Sequence, residues 1–174
     1  QESNRLEVAR DVVKADIETH LHWLDGQMKA LSHTIRQHIG SDPDLKDKQA
    51  LLNSIPGVGE RTIATLLAFY SGFERFDNAR GAVAFAGLNP RLRESGTSVR
   101  GKPHLSKVGH AFLRKALYMP AMCTLYKTDW GTRFRERLEA AGKPPMLIIG
   151  AMMRKLIHVA FSVLMSGKNF DPAL

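Results

Sequence analysis

The sequence predicts a mostly α-helical chain: a long N-terminal coiled-coil helix followed by a compact helical domain. Three observations predict it. Residues 3–39 carry no Pro and a single Gly, Gly26, which suits one long helix. The apolar runs further along are helical in length and spacing, and they stop at Gly or Pro: Gly40, Pro43, Pro56-Gly57, Gly87, Pro90, Pro144-Pro145 and Gly167. Apolar residues make up 44% of the 174 residues and charged ones 24%, which allows a real core in one domain plus an appendage.

In the first helix Ile17, Leu21, Leu24, Met28, Leu31 and Ile35 are spaced 4, 3, 4, 3, 4. That is the 3.5-residue repeat of a coiled-coil seam. Lys14 and His38 fall on the seam's ends, so about three heptads are clean. Residues 1–41 then form a dimerisation helix, with Trp23 beside the seam. The competing reading is an antiparallel helical hairpin whose other helix lies upstream. Gly40 is the expected C-cap, and Asp42-Pro43 restarts the chain.

Residues 42–174 form the second expected domain. A short helix covers 44–53. "SIPGVGERTIATLLAFY" (54–70) follows Leu51 and Leu52, and together they resemble a helix–hairpin–helix over about 51–70. Gly57 and Gly59 permit a tight turn whose backbone approaches a ligand, and free N–H groups at the next helix start favour a phosphate oxygen. The plainer alternative is a helix-to-helix turn with no ligand.

Asn78 caps a small-residue helix over 78–86, stopped by Gly87-Leu88-Asn89-Pro90. Residues 88–106 read as an irregular basic loop, with room for a short hairpin around "TSVRGKPHL". Helix resumes near Lys107, capped by Ser106, and runs to about Tyr126, with Pro120 kinking or breaking it. Another helix covers 129–141, anchored by Trp130. Pro144-Pro145 opens the last, 146–166, whose Met146, Met152, Met153 and Met165 read as core. Cys123, in "LYMPAMCTLY", reads as a buried structural thiol.

The net charge of +8 is concentrated. Residues 80–127 hold nine Lys/Arg against Glu94 alone, and the remainder is balanced at 16 of each sign. An excess confined to one segment points to a polyanion partner. One cysteine excludes an internal disulfide framework and suits a reducing, cytoplasmic setting. No signal peptide opens the chain and no run of about 18 apolar residues occurs, so no membrane partner is expected. The chain starts with Gln, and it is expected to be a piece of a longer protein. No Cys/His cluster has zinc-ligand spacing and the carboxylates are scattered, so no metal site is expected within it.

Residues 91–117, "RLRESGTSVRGKPHLSKVGHAFLRKAL", place Ser95-Gly96-Thr97-Ser98 among Arg91, Arg93, Arg100, Lys102, Lys107, Arg114 and Lys115. The cations suit neutralisation of phosphate oxygens, and Arg suits bidentate contact. Gly96 lets a substrate approach the backbone. A serine hydroxyl needs activation to act as a nucleophile, and His104 and His110 are the nearby titratable groups. On the residues alone, Ser95 as nucleophile stands beside the commoner turn-capping or phosphate-binding serine. Tyr70, Tyr118 and Tyr126 lie in apolar helical contexts without an Arg-His set around them.

The stretch 52–126 resembles the C-terminal transposase domain of the insertion sequence 110 family, which has relatives among Piv-type DNA invertases. The matching parts are Pro56-Gly57-Val58-Gly59, Phe76, Ala86-Gly87-Leu88-Asn89-Pro90, Ser95-Gly96 and Ser106-Lys107-Val108-Gly109 running to Leu113-Arg114. The resemblance implies a DNA transposase or recombinase whose serine, Ser95 here, attacks a DNA phosphodiester and forms a covalent phosphoserine link. Ser98 is the local rival. It also implies an upstream RuvC-like domain with a DEDD carboxylate set binding Mg2+, and a bridge RNA that selects DNA. It further implies homodimers that pair into a synaptic tetramer at the bacterial nucleoid. The expected phosphate-binding set is Gly57, Gly59, Arg91, Arg93, Gly96, Arg100, Lys102, Lys107 and Arg114. The alternatives from other classes are a non-catalytic nucleic-acid-binding and dimerisation module, and an RNA-binding scaffold.

Overall fold

The computed structural model describes residues 2–95 and 99–172, and for 92–95 and 99–103 it describes the backbone alone. Among the described residues the elements are α1 (Glu2–Val8), α2 (Asp11–Ser41), α3 (Pro43–Asn53), α4 (Glu60–Tyr70), α5 (Ala79–Phe85), β1 (Pro90–Ser95), β2 (Val99–Leu105), α6 (Ala111–Lys127), α7 (Asp129–Ala140) and α8 (Pro145–Ser166). A 3-10 turn at Ser71–Phe73 follows α4. The fold is mostly α, as expected. The chain divides into two compact units, Gln1–Lys46 and Asp47–Leu174, with the division inside α3.

In the first unit the long helix is interrupted near its start. Arg10 is extended (φ −72°, ψ 151°) and separates α1 from α2, a break that no Gly or Pro announces. The 31 residues of α2 span about 46 Å. Gly40 is not its C-cap. The helix continues through Gly40 to Ser41, and the extended Asp42 ends it. The Asp42 carboxylate then accepts the Leu45 N–H at 3.2 Å, so one residue closes α2 and opens α3. Along the 3.5-residue repeat Ile17 is buried and Leu21 and Leu24 are half-buried, while Met28, Leu31 and Ile35 are exposed. Trp23 is exposed and stacks on His20, with centroids 5.9 Å apart.

The second unit is built around α8, which packs on α5, α6 and α7. Ile148, Met152, Leu156, Ile157 and Ala160 form its buried stripe, each large side chain contributing about 1.5–3 kcal/mol of burial. By length and composition α8 is long and apolar enough to cross a membrane; here its stripe is taken up by neighbouring helices. Met146 and Met165, at its two ends, are exposed, so Met152 and Met153 alone of the four expected methionines belong to the core.

Three caps of the second unit are set by local sequence. Asn78 Oδ1 accepts the Gly81 N–H at 3.0 Å, Thr128 Oγ1 accepts the Gly131 N–H at 3.2 Å, and Gly167 closes α8 at φ 64°. Trp130 is buried against Phe170, centroids 5.2 Å apart. Pro120 does not end α6: its ring is buried, and the missing N–H removes a single i→i−4 bond. Leu113, Leu117, Ala121, Thr124 and Leu125 form the inward stripe of α6. Cys123 falls off that stripe and is exposed, contrary to the expected buried thiol.

Candidate nucleic-acid interface

The basic segment is a two-stranded antiparallel hairpin rather than an irregular loop. It begins at Pro90, earlier than its Gly/Pro content suggests. Pro90 pairs with Leu105 and Arg91 with His104; past an irregularity, Arg93 pairs with Gly101, Glu94 with Arg100 and Ser95 with Val99. The shift sets Lys102 and Pro103 opposite Leu92 alone, which is a β-bulge. Pro103 has no N–H to give to a ladder, so a bulge is where a hairpin can hold it.

Ser95 ends β1 and pairs with Val99, the first residue of β2. Its side chain, those of Arg93, Arg100 and Lys102, and the whole of Gly96 and the rival Ser98 lie outside the described residues. Of the expected phosphate-binding cations, those with described side chains are Arg91 and Lys107, both exposed, and Arg114, which is half-buried.

The base of the hairpin is a clamp between two short segments. The Ser106 N–H donates to Asn89 O at 2.9 Å, Lys107 N–H to Gly87 O at 3.1 Å and His110 N–H to Phe85 O at 3.0 Å. Arg114 Nη1 donates to Ala86 O at 2.9 Å and Gly109 O at 3.2 Å. Residues 85–89 and 106–110 are therefore one structural unit, which explains two separate sequence signatures at once. The glycines follow from the close approach. Gly87 (φ 69°) leaves no space for a Cβ beside Arg114 Nη1 and Val108 O. Gly109 (φ 139°) leaves none beside Phe85 O and the Gly87 nitrogen. Leu105 rests on α8 at Gly150, where an added Cβ would lie 3.2 Å from Leu105 Cδ1.

This clamp overturns one expected role and bears on a second. Ser106 does not cap α6: Lys107 is left-handed (φ 56°), α6 starts only at Ala111, and the Ser106 Oγ accepts the Val108 N–H at 3.3 Å to close a local turn. Arg114 has Nη1 committed to the carbonyls of Ala86 and Gly109, so this part of its guanidinium holds the hairpin base. The carbonyls of Phe85, Ala86, Gly87 and Asn89 went unnoticed in the sequence, since only the paired Gly signatures hint at them.

The two glycines of the 56–59 turn divide as well. Gly57 (φ 94°) faces α6, and a Cβ there would collide with Thr124 Oγ1, whose hydroxyl donates to Pro56 O at 3.4 Å. Its glycine requirement comes from packing inside the protein. Gly59 is the N-cap of α4 and has open space around it. Glu60 places a carboxylate in the first turn of α4, where it competes with any incoming phosphate.

Tyr70 is 0% exposed and its hydroxyl donates to Ala82 O at 2.9 Å. Burial raises its pKa far above the ordinary value, outweighing the nearby Arg75. A phenol so held is a neutral structural donor, not a nucleophile. Among the described residues no group of three or more His, Cys, Asp and Glu could hold a metal ion.

Comparison with known proteins brackets this architecture. The family model "Transposase IS116/IS110/IS902 family" matches residues 49–138, just over half of the chain, and includes the hairpin and both sides of its clamp. The pilin gene-inverting protein of Moraxella bovis is 33% identical over 173 residues, 98% of this chain and 53% of that protein. Its Moraxella lacunata namesake matches to the same extent. The insertion element IS110 uncharacterized 43.6 kDa protein of Streptomyces coelicolor is 28% identical over 161 residues, 92% of this chain and 38% of that protein. The chain thus spans about half the length of the pilin gene-inverting proteins it matches.

Proposed function

Because the chain belongs to the transposase IS116/IS110/IS902 family, we propose that it holds DNA for strand recombination and supplies the nucleophile, Ser95. The observation that carries this reading is the clamp. A hairpin tip is a poor place for precise chemistry unless its base is fixed, and here four backbone carbonyls and the Arg114 guanidinium fix it. In the proposed step the Ser95 Oγ attacks phosphorus, the bond to one deoxyribose oxygen breaks, and the proton lost by the serine ends on that leaving oxygen. The strand stays attached through a phosphoserine bond until the reverse attack reseals it.

Arg91, Arg93, Arg100, Lys102 and Lys107 are assigned to the phosphate oxygens, Gly96 to close approach, and Gly59 to an auxiliary backbone contact. The relatives' names, a gene-inverting protein and an insertion element, suit strand exchange on DNA. By the same family reasoning the partners are DNA, a bridge RNA and further copies of the chain. Copies pair along Ile17, Leu21, Leu24, Met28, Leu31 and Ile35 into dimers, then tetramers on DNA. Mg2+ belongs to a RuvC-like domain outside this chain, and this chain alone binds DNA without exchanging strands.

The test is Ser95→Ala at the full length of the relatives. Recombination is lost, duplex DNA binding is kept, and peptide mapping of a trapped wild-type reaction finds the adduct on Ser95. Unchanged recombination, or an adduct on another residue, leaves a non-catalytic binding module as the surviving reading.

A further inference from the structure

A chain of aromatic rings runs from the core of the second unit to its surface beside the hairpin base. It starts at the buried Tyr70, passes to Phe85 (centroids 5.6 Å apart), then His110 (4.3 Å), Phe69 (5.5 Å) and Phe112 (5.6 Å). Phe69 and Phe112 are stacked, 22° between planes, and His110 meets Phe69 edge-on. All four spacings lie in or near the range of attractive ring pairs. Yet Phe112, at the outer end, is 60% exposed. A large apolar ring held in one orientation by a stacked partner, with its outward side open to water, is what a further aromatic group needs for stacking.

The electrostatics around it select the occupant. Phe112, Lys115 and Met119 share the outward face of α6, with Lys115 one turn from the ring. α6 contains no acidic residue, and residues 80–127 hold only Glu94. Exposed Lys107 stands just before the helix. Aromatic side chains interleaved with cations serve nucleic acids that present unstacked bases, since every base has a π-face. Bases in a duplex are already stacked on one another and have no free face to offer.

We propose that Phe112, backed by Phe69 and His110, is a stacking platform for an unpaired nucleobase of a strand held at the hairpin base. The inference rests on the nucleic-acid reading above and extends it to a single-stranded segment. It assigns the π-face of a base as ligand, whether the strand is DNA opened during exchange or RNA.

The experiment uses the 174-residue chain and two single strands of one sequence, DNA and RNA, each carrying one 2-aminopurine whose fluorescence is quenched on stacking. Duplex DNA binding and sedimentation are measured in parallel. Quenching on at least one strand is expected, and the stronger arm identifies the source. Phe112→Ala removes the quenching and weakens single-strand binding about tenfold, the size of one lost base stack, while duplex binding holds. Phe112→Trp retains both signals, separating the ring from any effect on folding. Equal quenching by wild type and Phe112→Ala overturns the proposal. So does equal weakening of single-strand and duplex binding, or a dimer that Phe112→Ala splits, which makes the ring a protein contact. Duplex binding without quenching sinks the platform alone; absence of both sinks the nucleic-acid reading with it.

Discussion

Arg114 Nη1 donates to the carbonyl of Ala86 at 2.9 Å, joining residues 28 apart, and the same nitrogen reaches Gly109 O at 3.2 Å. One side chain therefore ties both flanks of the hairpin to the start of α6. Charge-assisted bonds to carbonyls contribute about 1.5–3 kcal/mol when buried, and this one is only part-buried, so Arg114→Ala is expected to cost about 2 kcal/mol. A urea midpoint that falls at unchanged slope checks it. Because the group faces the protein, the salt slope of duplex binding stays put; a loss of one phosphate contact would show as a change of about 0.9.

The glycines separate by role. Gly109→Ala drives a Cβ into Phe85 O and the Gly87 nitrogen at φ 139°, and Gly57→Ala drives one into Thr124. Each is expected to destabilise by about 3 kcal/mol or more, since strain and collision add. Gly59→Ala meets open space and costs about 0.5 kcal/mol as a poorer N-cap. Thermal unfolding of the three variants gives the ranking, and DNA binding by Gly59→Ala tests whether backbone approach at that turn matters.

Salt dependence tests the hairpin face. With about five phosphates neutralised, log K falls against log[salt] with a slope near −4 to −5. Arg91→Ala and Lys107→Ala each reduce the slope by about 0.9 and weaken all duplex sequences alike, as backbone contacts do. A flat salt response from the wild-type chain contradicts the assignment of this face.

His158 gives the protein an acid-side weakness. Burial first, then Arg154, Arg80 and Lys155, lower its pKa below the ordinary 6.5. Between the lowered value and 6.5 the unfolded chain binds a proton that the folded chain refuses, so stability rises with pH there. The contribution is complete above about 6.5 and is lost as pH falls toward the folded value. Denaturation midpoints at pH 5.5 and 7.5 are expected to differ, and His158→Gln to narrow the difference.

Much of the architecture was readable because it is local. Asn78 accepts from a nitrogen three residues on, Gly167 relieves one left-handed turn, and a Pro-Pro pair opens α8; each signal acts within about one helical turn. The concentration of cations between 80 and 127 needs only counting. The misreadings share the opposite property. Ser106 sits where a helix cap belongs, yet Gly87, 20 positions back, draws the Lys107 N–H and delays the helix. Cys123 lies in an apolar run, but which side of α6 faces inward depends on α8 and on the Thr124 contact with the 56–59 turn.

Helix order, the caps at Asn78 and Gly167, the position of the basic segment and the family signature were thus legible in the residues, because neighbours in the chain create them. The hairpin's register and bulge, the clamp joining 85–89 to 106–110, the inward use of Gly57 and Arg114, and the ring chain ending at Phe112 arose in the folded state. They depend on groups tens of residues apart meeting at hydrogen-bonding or ring-contact distance, and no spacing along a single chain encodes which distant partners will meet.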